Sequence, residues 1–142
     1  MILVLAIITS TLSAFASDEK VSKEILSSFN TEFATAQDVS WSVQADYIRA
    51  EFTFNSQRVN AFYSPAGELL GITRYITSYD LPMFLQASLK KSYKDYWISD
   101  LFEVNKDNST SYYITLENAE GKLVLKGATG EDWTTHKKVK KI

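Results

Sequence analysis

The fold is decided by the run Tyr47-Ile48-Arg49-Ala50-Glu51-Phe52-Thr53-Phe54-Asn55-Ser56-Gln57-Arg58-Val59-Asn60-Ala61-Phe62-Tyr63. Ile48, Ala50, Phe52 and Phe54 alternate with Tyr47, Arg49, Glu51 and Thr53. That period of two belongs to a strand, whose successive side chains point to opposite faces. Asn55-Ser56 is a turn signal. Beyond it Val59, Ala61 and Tyr63 alternate with Arg58, Asn60 and Phe62. Two such runs joined by a tight turn predict an antiparallel hairpin with one covered face and one open face.

The same pattern extends on both sides. Val39, Trp41 and Val43 alternate with Ser40 and Ser42. Ser64-Pro65-Ala66-Gly67 is a turn, with Pro where φ is pre-set and Gly where φ must be positive. Leu69 to Ile76 then gives the fourth strand of a meander. Ser17 to Ala36 reads as a preceding helix, with Val21, Ile25, Phe29, Phe33 and Ala36 forming one apolar stripe. The order then restarts. Asp80 is placed to cap and Pro82 to sit in the first turn of a helix over Met83–Tyr96. Strands are expected at Ile98–Val104, Ser111–Glu117, Lys122–Lys126 and Thr134–Lys141. Phe29 and Phe33 align with Leu89 and Tyr93, and Gly67 with Gly130. The expected fold is therefore α+β, built from two tandem repeats of a helix plus a four-stranded antiparallel sheet, with helices packed on one sheet face. Repeat one would span about 17–78 and repeat two about 79–142, since two copies bury a core that one copy cannot.

Met1 to Ala16 carries no charge, is rich in Leu, Ile and Ala, and ends in Ala14-Phe15-Ala16. This small-x-small end marks a signal-peptidase site, so cleavage after Ala16 is expected and residues 17–142 form the mature domain, periplasmic or secreted. No Lys or Arg follows Met1; an uncleaved leader would instead anchor the domain at a membrane. No cysteine is present, which excludes a lipidated lipobox, thiol chemistry and a Cys-ligated metal, and leaves packing alone to hold the domain. The net charge of −2 favours neither nucleic acid nor an anionic membrane as a partner. Aromatic residues are 13% of the chain, enough for a substantial core.

Several of these segments resemble bacterial secreted proteins of the PepSY-like, or β-lactamase-inhibitor-protein-like, group. They are Phe33-Ala34-Thr35-Ala36-Gln37-Asp38-Val39-Ser40-Trp41, Tyr47 to Phe52, Val59 to Tyr63, Gly67-Glu68-Leu69, Asp80-Leu81-Pro82 and Tyr112-Tyr113-Ile114-Thr115-Leu116-Glu117. The resemblance covers nearly all of the mature chain and rests on core and turn residues. It implies a sheet that grips a partner protein, by analogy of fold.

Catalytic constellations are missing from the sequence. His136 is the one histidine, set among Thr134, Thr135, Lys137 and Lys138; it reads as an exposed strand residue, and an enzyme working through it and a carboxylate is the weakest of the rival readings. Asn105 to Thr110 lacks the glycine and bidentate glutamate of an EF-hand and reads as a polar hairpin tip. The five glycines are spread over turns, not gathered into a phosphate loop. Lys137-Lys138-Val139-Lys140-Lys141 reads as a lysine-guarded edge strand. No cofactor and no metal are expected, and the chain is read as a non-enzyme.

What remains is the open sheet face. Tyr47, Arg49, Glu51, Arg58 and Phe62 should share it in the first half, and Tyr113 and Thr115 in the second, with Trp133 as an aromatic rim. Tyr, Arg and Trp dominate interface hot spots. The leading expectation is a binding module that occludes an envelope or secreted protein or peptide, with inhibitor or sensor of an envelope enzyme as the role to test. Neither nucleic-acid binding nor membrane insertion after leader cleavage is expected. The rival is a small-molecule or ion binder with a pocket between helices and sheet, lined by Trp41, Phe52 and Tyr93.

Overall fold

The computed structural model describes residues 21–141. The expected leader over Met1–Ala16, its cleavage point and the expected helix start at Ser17 lie outside the described residues; the helix itself begins at Lys23, after Val21 and the extended Ser22. The elements are α1 (Lys23–Glu32), β1 (Gln37–Val43), β2 (Ile48–Phe54), β3 (Gln57–Tyr63), β4 (Leu69–Tyr75), a 3-10 turn (Ser78–Asp80), α2 (Met83–Ser92), β5 (Trp97–Lys106), β6 (Ser109–Glu117), β7 (Gly121–Ala128) and β8 (Glu131–Lys140). The strands form one eight-stranded sheet in the order β1 to β8. This corrects the expectation of two tandem four-stranded sheets. Local alternation reports each strand and its turn but not where a sheet stops, and a sheet ending at β4 would leave an unpaired backbone edge that this arrangement fills. The chain divides into two compact units between Ile72 and Thr73.

In the first unit Ser22 caps α1, its Oγ accepting the Ile25 N–H at 3.3 Å. The helix ends at Glu32, short of Ala36, yet Phe33 stays buried as its C-cap. Ile48, Ala50, Phe52, Val59, Ala61 and Tyr63 are buried beneath Ile25, Phe29 and Phe33, so the alternation holds along β2 and β3. Phe29 meets Trp41 edge-on at 5.1 Å and Phe52 at 4.9 Å. Ala50 and Ala61 face each other across the strands and leave room for these rings. Asn55 (φ 50°) and Ser56 (φ 65°) are both left-handed, as a two-residue hairpin turn twisted to match its strands demands.

In the second unit Leu81 and Leu85 cover Leu101, Tyr112, Ile114, Leu116 and Leu125. Asp80 caps the 3-10 turn and not the helix: its Oδ2 accepts from Thr77 N at 2.8 Å and Thr77 Oγ1 at 2.9 Å. Pro82, which has no N–H to give, stands as N-cap of α2. The helix stops at Ser92, four residues before Tyr96. Asp107 (φ 50°) and Asn108 (φ 59°) make the β5–β6 turn a second tight hairpin.

Candidate functional site

In the first unit the open face is pinned by its own contacts. Arg49 lies opposite Phe62 on β3 and Ser42 on β1. Tyr47, at the entry to β2, meets the Phe62 ring edge-on at 5.6 Å. Arg58 reaches diagonally to Glu51 Oε1 at 2.9 Å and donates from Nη1 to Thr53 Oγ1 at 3.1 Å and to the Asp38 carbonyl at 3.4 Å. This ion pair is solvated on both sides, so it orders the two side chains more than it stabilises the fold. Tyr47, Arg49 and Phe62 thus form one group, and Glu51 with Arg58 another beside it.

In the second unit Tyr112, Ile114 and Leu116 face the core, which turns Tyr113 and Thr115 to the open face. Tyr113 stacks on Phe102 of β5, centroids 5.5 Å apart and planes 12° from parallel. Phe102 meets Tyr75 of β4 edge-on at 6.4 Å, and Tyr113 meets His136 of β8 edge-on at 5.3 Å. Lys126 Nζ lies 5.8 Å over the Tyr113 ring. A row of four rings therefore crosses this face. His136 joins it through a bulge: Thr135 pairs with Leu125 and Lys137 with Val124, leaving His136 as the extra residue, aimed at Tyr113.

Sequence reasoning missed Tyr75, Phe102, Lys126 and His136 as members of this face. The pattern of β5 misleads, because it would bury Phe102 and expose Glu103. The structure does the reverse. Glu103 is the buried charged residue among the described ones, 8% exposed. Arg74 grips its carboxylate with Nε at 3.0 Å and Nη2 at 3.1 Å, and Asn105 Nδ2 adds a bond at 2.8 Å. The Arg74 hydrogen bonds, opposed by burial and helped by Asn105, hold the Glu103 carboxyl below its ordinary pKa. With Glu103 satisfied on the helix side, Phe102 must point to the open side.

Trp133 is a correction. It is not a rim residue. It lies buried beneath α2, its Nε1–H donating to the Leu85 carbonyl at 3.1 Å. Space for the indole comes from Gly127, where an added Cβ would sit 2.9 Å from Trp133 Cε3 and 3.0 Å from Leu85 Cδ1. The rival pocket is not built as expected either. Trp41 and Phe52 are packed tightly under Phe29 in the first unit's core, and Tyr93 belongs to the second unit. Among the described residues no group of His, Asp and Glu is arranged to hold a metal ion. None of their helices is long and apolar enough to cross a membrane.

No protein-family model matches this sequence, and no curated protein does. Solved structures do match in shape. A BLIP-like protein of Bacteroides fragilis superposes with a TM-score of 0.75 at 18% identity, covering 85% of this chain and 88% of that one. A DUF2874 family protein of Bacteroides uniformis gives 0.74 at 12% identity, covering 84% and 89%. A protein of Bacteroides eggerthii, provisionally described as periplasmic, gives 0.73 at 14% identity, covering 84% and 88%. Identities this low speak to fold alone: the chain has a BLIP-like fold, and a PepSY-like relationship is not shown.

Proposed function

We propose that this chain is an exported, non-catalytic binding protein that engages a protein or peptide through its open sheet face. The observation that carries the reading is the ring row Tyr75–Phe102–Tyr113–His136 across β4, β5, β6 and β8, flanked by Lys126. Rings already stacked on one another lose little freedom when a partner covers them, so more of the contact energy survives as affinity. Tyr75 keeps 67% of its surface exposed, an amphipathic anchor of the kind that dominates interface hot spots. The Tyr47–Phe62 pair with Arg49 and the Glu51–Arg58 pair offers a second patch of the same character in the first unit. The leader-like start and the periplasmic description of one fold neighbour support export. The BLIP-like description of another agrees with use of the sheet to hold a protein.

The test is affinity capture from the envelope extract of the protein's own cell. A partner enriched by wild type and lost with Phe102→Ala/Tyr113→Ala supports the reading. A partner held equally by both rejects the face.

A further inference from the structure

The opposite face of the second unit carries a separate feature. Strand register aligns Ile98 of β5, Leu116 of β6, Leu123 of β7 and Lys138 of β8 side by side. Leu116 and Leu123 belong to the core under α2, so the whole row faces the helix side. Because α2 ends at Ser92, this end of the face lacks a helical cover. Ile98 is left 44% exposed and Tyr79 87%. Two concavities result, and they share Tyr96. One, of about 260 Å³, is lined by Tyr79, Leu89, Tyr93, Ile98 and Leu116, with Lys90 and Lys94 also on its wall. The other, of about 390 Å³, is lined by Leu123, Lys122, Lys138, Lys140 and Lys141, with Glu120 as its one carboxylate.

The charge here is lopsided for a chain of net charge −2. Six of its twelve lysines line these two hollows. Lys122 and Lys141 are drawn to the open face by Glu117, at 3.6 and 3.8 Å, and do not add to the charge of the helix side. No ion pair among the described residues engages Lys138 or Lys140, which stand opposite Leu123 and Gly121 on the helix-side face. The row from Ile98 to Lys138 spans three strand intervals, about 14 Å; an extended ten-carbon chain covers most of it and the flexible Lys138 side chain covers the rest. Apolar floor, aromatic walls and a cationic end match one kind of ligand.

We propose that the row Ile98–Leu116–Leu123–Lys138 binds an anionic amphiphile of the fatty-acid class, its alkyl chain along Ile98 and Leu116 and its carboxylate at Lys138 and Lys140. This site is independent of the partner-binding face, and its failure would leave that reading untouched. The probe is decanoate, titrated calorimetrically into protein purified from cells expressing the full chain, with decanol and acetate as comparators. One decanoate should bind per chain, at least tenfold more tightly than decanol and with no measurable acetate binding. Lys138→Ala/Lys140→Ala and, separately, Ile98→Asn should each weaken it at least tenfold. All three positions are exposed, and unchanged near-ultraviolet circular dichroism would show the variants folded. Absent decanoate binding, equal binding of decanol, or full affinity in the lysine variant would overturn the proposal.

Discussion

Two side chains show how the fold handles buried polar atoms in opposite ways. Tyr63 is fully buried, and its hydroxyl has no hydrogen-bond partner among the described residues. Burial first, and the nearby charge of Glu32 second, push its pKa up to about 12. A buried hydroxyl without a partner costs about 1–3 kcal/mol. Tyr63→Phe should therefore leave urea stability unchanged or raise it by about 1 kcal/mol; a clear loss would mean the hydroxyl is bonded. Its folded pKa lies above the ordinary 10.0, so the stability this neutral phenol provides is complete below that value and declines as pH rises from 10.0 towards about 12. Glu103 runs the other way. Its folded pKa lies below the ordinary 4.5, so its contribution is complete above that value and fades as pH falls through the folded one. Glu103→Gln should cost about 2 kcal/mol near neutrality, and the gap from wild type should close in acid. A gap independent of pH would show that the carboxylate's charge is not what matters.

Legibility changed from element to element. Strands β2 and β3 could be placed from the sequence, and the structure keeps their faces, because apolar residues recur at every second position from Ile48 to Phe54 and again from Val59 to Tyr63. Strand β5 could not be oriented, since a buried glutamate inverts its apparent pattern and only its distant partner Arg74 explains why. Strand β8 was harder still. Two register shifts against β7 send His136 to the open face and Trp133 inward, and a bulge leaves no regular period to follow. The one local trace of the Trp133 site is Gly127 in the middle of a strand, which often marks a close approach of another group. Gly127→Ala should therefore destabilise the protein by about 1–3 kcal/mol through overpacking against Trp133 and Leu85, measurable as a lower urea midpoint. An unchanged midpoint would show that the indole can shift aside.

At the scale of the molecule, the strands of each unit separate two kinds of surface. In each unit the helix side holds that unit's core, and in the second unit an apolar row that terminates in lysines runs beyond the end of α2. The open side carries the Tyr47–Phe62 and Glu51–Arg58 pairs in the first unit and the ring row in the second. The sequence showed such a face and several of its residues, Tyr47, Arg49, Phe62 and Tyr113 among them. It did not show the row in the second unit, because Tyr75, Phe102, Tyr113 and His136 come from four strands and meet only through pairing between residues distant in the chain. The most direct measurement is the calorimetric Kd of the captured partner for wild type, for Phe102→Ala, and for Met83→Ala/Phe84→Ala, which alters exposed apolar side chains of α2. Loss of a central aromatic anchor should weaken binding at least tenfold, about 1.4 kcal/mol or more, while the α2 variant binds as wild type does. An unchanged Kd for Phe102→Ala, with binding lost in the α2 variant, would contradict the account.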